Sequence, residues 1–295
     1  MVADRPYGSL RERLQGVPGV VMLIGAPDTG KTTLGRLLIG DALDSGMTAA
    51  YIDGDVAAST VGPPACAGLK WVKSTDDLAA LALADELRFV GSTEPQGVVL
   101  PHVVSVSSLV DIARRSADLV VLDTTGVVSG VVGQTLKYHL MELCQPSLVI
   151  AMHRGEELEP IVGMLRRFLS ARVAAVEPLP DVVPLSPVER YEQRTAAFAL
   201  ALADPLQRWR VQTTVFAPTL PEGFDRSRLQ SMLVGVLDDK GRCLGLGVLE
   251  VDEGVVRVAT RFGEEMRGLR LGSMRVDLAT FDTQRVRLRQ LIFGV

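Results

Sequence analysis

Nine residues near the start of the chain, Gly25 to Thr33, read GAPDTGKTT. The pattern G-x-x-x-x-G-K-[ST] builds a phosphate-binding loop when a strand precedes it and a helix follows. The two glycines let successive backbone N–H groups turn inward, and the positive end of the next helix adds about half a charge there. Ala26, Pro27, Asp28, Thr29 and Gly30 form the expected cradle, with Lys31, Thr32 and Thr33 opening the helix. Lys31 is placed to reach the β- and γ-phosphates of a nucleotide, and the Thr32 hydroxyl to ligate Mg²⁺. Three acids accompany the loop. Asp53 and Asp55 stand in Asp53-Gly54-Asp55, and Asp123 ends the apolar run Leu119-Val120-Val121-Leu122. A hydrophobic strand ending in Asp can deliver a carboxylate to Mg²⁺. Each acid also has a plainer reading: Asp-Gly favours turns, and a strand-end Asp can cap the next turn. Thr32, Asp53 and Asp123 are the candidate Mg²⁺ set.

The elements around these residues decide whether they meet. Val20–Ile24 reads as a strand, and Leu34, Leu37, Leu38 and Leu43 recur near helical spacing after it. Thr48–Ile52 runs into the Asp53-Gly54-Asp55 turn, Leu87–Val90 into Gly91-Ser92-Thr93-Glu94-Pro95, and Leu119–Leu122 into Asp123. Short apolar strands alternating with helices indicate an α/β fold, a P-loop parallel sheet flanked by helices. Ligands of such sheets sit at the carboxyl ends of the strands, the edge to which Asp53, Asp55 and Asp123 are carried. A Pro-rich stretch, Pro178 to Pro187, precedes a helix starting ERYEQR. Arg190 and Arg194, four apart, share one face of it. Two guanidiniums after a Pro-rich hinge suit a phosphate lid near 186–203. A solvated helix with Glu189 and Glu192 offsetting the arginines fits the pattern equally. Beyond Trp209 the period changes to alternation, with turn signals at Asp238-Asp239-Lys240-Gly241 and Asp252-Glu253-Gly254. The expected organisation is a lead-in over 1–18, a P-loop domain over 19–207 and a small β-rich C-terminal domain over 208–295.

Composition narrows the function. The 295 residues are 47% hydrophobic, so a sizeable core is available, and the net charge is −4. That charge argues against a broad sequence-independent nucleic-acid surface, not against a narrow Arg-lined groove. Only five lysines accompany 26 arginines, so Lys31 stands out. Cys66, Cys144 and Cys243 give no disulfide framework or metal spacing. His102, His139 and His153 form no ligand pattern and are read as core or surface residues. No apolar stretch approaches a membrane span, and the first 18 residues lack a signal-peptide core. A cytoplasmic protein with no membrane partner is expected.

Taken together, GAPDTGKTT, DGDVAASTVGPP, FVGSTEP, LDTTGVVSG and ERYEQR, in that order, resemble the polynucleotide 5′-hydroxyl kinase family. Its members include the kinase subunit of the pre-mRNA cleavage complex and the nucleolar rRNA-processing kinase. The resemblance covers about Gly19 to Ala203, and VGVLDDKGRCLGLGV is similar to the family's C-terminal domain. It implies transfer of the γ-phosphate of ATP, with Mg²⁺, to the 5′-hydroxyl of RNA or DNA ends. It also assigns roles. Lys31, Asp55, Arg190 and Arg194 match catalytic positions, Asp55 as the acid that deprotonates or orients the hydroxyl. Thr124 and Gly126 match a T-x-G-W clasp around the triphosphate. Two positions depart from the pattern: Ala57-Ala58 stand where the family has Gly-Gln, and Val127 replaces the clasp Trp. Trp71 is a candidate to supply base stacking instead, or else a core Trp. Protein partners are not indicated. The alternatives are an ATP-binding scaffold subunit of an RNA-processing complex and a P-loop ATPase or GTPase switch. No N-K-x-D guanine-reading motif is present.

Overall fold

The computed structural model describes residues 7–180 and 182–293, so the first six residues of the expected lead-in lie outside it. A short helix, α1 (Gly8–Leu14), leads into β1 (Gly19–Gly25), the phosphate loop and α2 (Lys31–Asp44). β2 (Ala49–Gly54) follows, then β3 (Cys66–Val72), α3 (Thr75–Ala79) and β4 (Glu86–Phe89). Next come α4 (Val99–Ala113), β5 (Leu119–Thr124), α5 (Gly130–Cys144), β6 (Leu148–Met152), α6 (Glu159–Leu169), β7 (Val173–Val176) and α7 (Pro187–Ala201).

These strands form one sheet in the order β4-β3-β2-β5-β1-β6-β7. The five strands from β2 to β7 in that order run parallel. Helices cover both faces, so β1 and β5 are almost wholly buried and read as continuous apolar runs. The expected parallel sheet carries an antiparallel edge: β3 runs antiparallel to β2, and β4 to β3. The physical reason is the connection. No crossover helix lies between β2 and β3, and without one the chain must turn back on itself.

The second sheet takes β8 (Gln207–Arg210), β9 (Phe216–Ala217), β10 (Met232–Leu237), β11 (Cys243–Asp252), β12 (Val255–Thr260), β13 (Gly268–Val276) and β14 (Thr283–Arg285), with α8 (Leu288–Phe293) after it. Its order is β14-β13-β10-β11-β12-β8, antiparallel throughout, with β9 added parallel to β13. Between β11 and β12, Glu253 and Gly254 both take positive φ, 48° and 77°. That is the mirror-image turn that suits a tight hairpin.

The two sheets share a core. Cys66 and Phe89 from the first pack with Phe198 and Leu202 of α7 and with Leu233, Leu246 and Met274 of the second. The Ser273 N–H donates to the Gly91 carbonyl at 2.6 Å. Cys66 and Cys243, remote in sequence, meet across this boundary, and the facing thiol and burial push the Cys66 thiol well up.

Candidate active site

Strand register sets the site. β5 lies between β1 and β2, with Asp123 opposite Leu23 on one side and Asp53 on the other. Both acids therefore reach the edge where β1 opens into the phosphate loop. Asp123 is 2% exposed. Its Oδ2 accepts from the Thr32 hydroxyl at 2.6 Å and from the Tyr51 hydroxyl at 2.8 Å. Its Oδ1 is buried and has no hydrogen-bond partner among the described residues. Burial raises the Asp123 carboxyl, against the pull of the Lys31 ammonium. An orphaned carboxylate oxygen beside the helix-opening threonine fits a hard divalent cation, which takes oxygen ligands. Thr32 and Asp123 are thus suited to hold Mg²⁺.

The loop itself is pre-shaped. Gly30 stands at φ 86° just before α2, in the left-handed region where a side chain is strained. Lys31 donates from Nζ to the carbonyls of Gly25 at 3.0 Å and Ala26 at 2.8 Å, so its charge is held against the loop. The Thr29 hydroxyl donates to the Ala26 carbonyl at 3.0 Å. The segment after β5 closes the other wall. A Cβ added at Gly126 would lie 2.7 Å from the Pro27 nitrogen, so only glycine allows this contact. Thr124 departs from the clasp role expected of it: its hydroxyl donates to the Leu23 carbonyl at 2.7 Å, tying β5 to β1 inside the sheet. Thr125, one residue on, faces the cleft instead.

Asp53 and Asp55 divide their work. Asp53 accepts the Asp55 N–H at 2.8 Å on Oδ1, and the N–H groups of Thr60 and Val61 on Oδ2, the latter at 3.0 Å. Both oxygens are committed to the following loop. The structure therefore places Asp53 behind the cleft, shaping that loop, whereas the sequence put it in the Mg²⁺ set. Burial raises its carboxyl well above the usual range, and the charges of Asp123 and Asp55 add to this. Asp55 uses only Oδ1, which accepts the N–H groups of Ala57 at 3.0 Å and Ala58 at 3.3 Å. Its Oδ2 has no hydrogen bond among the described residues, and the residue lines the cleft.

The helix α7 roofs this arrangement. Ser186 and Glu189 close a capping box, with bonds of 2.7 and 3.2 Å, and Pro187 opens the helix. Glu189 is thereby taken up as a cap and leaves Arg190 to the phosphate loop: its Nη2 meets Asp28 Oδ2 at 2.5 Å. Arg194 lines the same cleft and has no carboxylate within salt-bridge range among the described residues. The cleft measures about 730 Å³. Pro27, Asp28, Thr29, Gly30, Lys31, Thr32, Thr33, Asp55, Asp123, Gly126, Arg190 and Arg194 line it, whereas Ala26, Asp53 and Thr124 support it from behind. Trp71 lies on β3, half-buried against the sheet core and away from the cleft.

The sequence model of the family described as mRNA cleavage and polyadenylation factor CLP1 P-loop matches residues 25–200. The chain belongs to this family. Among curated relatives, a polyribonucleotide 5′-hydroxyl-kinase of Pyrococcus horikoshii is 36% identical over 149 residues, 49% of this chain and 40% of that protein. One of Pyrococcus abyssi is 38% identical, over 49% of this chain and 41% of that protein. The matched region is thus about two fifths of those relatives' length. A solved structure of the wild-type Clp1p–Pcf11p complex shares the fold over 90% of this chain and 77% of that one, with a TM-score of 0.67 and 15% identity.

Within the CLP1 frame, the two departures face the cleft: Ala57, Ala58 and Val127 all line it, so the missing amide and indole are missing at the site. Two further groups bear on it that sequence reading did not single out. Lys137 on α5 is fully buried and donates from Nζ to the Thr125 carbonyl at 2.6 Å, holding the cleft wall from beneath. Burial and the nearby Lys31 charge bring its ammonium down to about 7. The signal was available in register: Lys137 stands four residues from both Gly133 and Met141, on the buried stripe of α5. His102 on α4 is buried, with Nε2 2.7 Å from the Gly54 carbonyl between the two acids. That partner can only accept, so Nε2 carries the proton. Burial brings the ring down to about 4, hence neutral at pH 7.

Proposed function

We propose that this chain is an ATP-dependent polynucleotide 5′-hydroxyl kinase, acting on RNA or DNA ends. The observation that carries it is Asp55: a carboxylate with one unbonded oxygen, in the same cleft as a phosphate loop and two lid arginines. That oxygen can take the proton of an attacking hydroxyl, and the relatives named as 5′-hydroxyl-kinases favour a polynucleotide end over water as its source. The relatives, named as polyribonucleotide 5′-hydroxyl-kinases, support the same acceptor class and favour RNA. Three buried free cysteines suit a reducing, cytoplasmic compartment.

In this reading the 5′-oxygen attacks the γ-phosphorus, the bond to the β-bridging oxygen breaks, and ADP leaves. The acceptor's proton passes to Asp55 Oδ2. Phosphoryl transfer asks mainly for positioning and charge stabilisation. Lys31 and Arg194 supply positive charge to the cleft, and Arg190 stands at the loop itself. Asp53 aims Asp55 through the backbone bond between them. Mg²⁺, held by Thr32 and Asp123, would neutralise charge on the transferring phosphates.

The test supplies γ-labelled ATP, Mg²⁺ and short 5′-hydroxyl oligonucleotides. Label is expected on the oligonucleotide, reduced by about 10²–10⁴-fold in Asp55→Ala while ATP still binds. Absence of labelling on any RNA or DNA acceptor sinks the kinase reading. ATP binding without transfer would then favour a scaffold, the reading that Ala58 and Val127 support.

A further inference from the structure

A second groove, about 330 Å³, lies where the start of α4 meets β13, β14 and α8. Arg270, Arg285, Arg287 and Arg289 line it, and no acidic residue does. In a chain of net charge −4 this is a local excess, not background. The arginines divide by partner. Arg285 is used internally, bonded to Glu94 at 3.3 Å and to the Gln96 carbonyl at 2.8 Å. Arg270, Arg287 and Arg289 have no carboxylate within 4.0 Å among the described residues. Three unpaired guanidiniums in one groove call for an anion with several charges, since each offers a planar fork suited to phosphate.

The groove adjoins the catalytic cleft. Gln96 lines both, and Glu94, which Arg285 holds, lines the cleft. We infer that this groove binds the sugar-phosphate backbone of the acceptor strand, on the 3′ side of the end being phosphorylated. The inference rests on the kinase reading for the identity of the acceptor. No aromatic residue lines the groove, so the contacts are to phosphates and not to stacked bases. Binding there is therefore indifferent to sequence and sensitive to salt. A narrow track of this kind is also how an acidic protein can hold nucleic acid without a basic surface overall.

The test compares wild type with an Arg270→Ala, Arg287→Ala, Arg289→Ala triple variant. Two acceptors are used, a 5′-hydroxyl dinucleotide and a single strand of about 12 nucleotides, between about 50 and 200 mM salt. The triple variant is expected to raise KM for the long strand roughly tenfold, with kcat and the dinucleotide KM unchanged. Each phosphate contact on a single strand contributes about 0.7 to the log–log salt slope, so the slope should fall by about two. A variant with three lysines at these positions should keep most of the slope, which separates charge from folding. Long-strand KM and slope equal to wild type in the alanine variant would overturn the groove. Anisotropy of the labelled long strand without ATP tests it apart from the chemistry. Loss of binding in the alanine variant supports the groove even where no kinase activity is found, and equal binding by both proteins, or none by wild type, refutes it.

Discussion

Asp53 and Asp55 are two residues apart, yet they carry different duties because the strand ends between them. Asp53 is still on β2 and points into the buried sheet edge, where only backbone N–H groups meet it. Asp55 is on the loop and reaches the cleft. The distinction is testable. Asp53→Asn replaces one acceptor oxygen with an NH₂ group facing N–H donors. Bonds to charged groups contribute about 1.5–3 kcal/mol each, so a loss of stability of about that size is expected. Turnover should fall at least about tenfold as Asp55 loses its aim. The Mg²⁺ midpoint for ATP binding should stay at the wild-type value, measured by titration beside a denaturant melt. A shifted midpoint would restore Asp53 to the metal site. At this scale the phosphate loop was legible because its motif is contiguous and each residue's duty follows from backbone geometry. Tyr51, Lys137 and His102 were not, because their duties are set by partners that tertiary structure brings near. Tyr51 reaches Asp123 across 72 residues of chain, and a lone Lys or Tyr in an apolar stretch looks like ordinary surface or core.

Among the elements, the parallel strands and α2 follow from contiguous apolar periodicity. β3 escaped because Cys66–Val72 mixes Gly and Lys and follows Pro63-Pro64; its strand form comes from pairing with β2 and β4 on either side. The lid helix was ambiguous in sequence because charge spacing alone does not say whether Glu189 serves the cap or the arginine. The cap bonds decide this. The Arg190–Asp28 pair is partly exposed, at 43% and 20%. Such pairs contribute about 0–1 kcal/mol, so the Arg190 side chain can leave Asp28 for a phosphate without moving α7. It follows that Asp28→Ala should alter turnover by no more than about fivefold. Arg190→Ala should lower kcat by about 10²-fold or more while the ATP Kd moves only a few-fold. Paired measurements of single turnover and nucleotide binding separate these effects. A Kd rising as far as kcat falls would make Arg190 a nucleotide-holding residue only.

For the whole molecule, the cleft needs both sheets in fixed relation, because α7 carries the cleft-lining Arg190 and Arg194 and is fastened at both ends. Its Ser186 end lies by the phosphate loop, through Asp28, while the Tyr191 hydroxyl donates to the Asp282 carboxylate of the second sheet. Further along, Phe198 and Leu202 enter the shared core. Phe89 is the centre of that core: it is 2% exposed, and a Cβ at Gly235 would lie 2.4 Å from its ring. A joint core of this kind predicts one cooperative unfolding transition instead of two. The chain supplies its own probes, since its two tryptophans fall one to each sheet, Trp71 on β3 and Trp209 on β8. Trp71→Phe and Trp209→Phe leave one reporter in each half, and their urea transitions, followed by fluorescence, are expected to coincide in midpoint and slope. Phe89→Ala should cost about 3–5 kcal/mol and move both reporters by the same amount. Separate midpoints, or a Phe89→Ala shift confined to one reporter, would mean that the sheets fold independently and that the lid's position over the phosphate loop is not set by the second sheet.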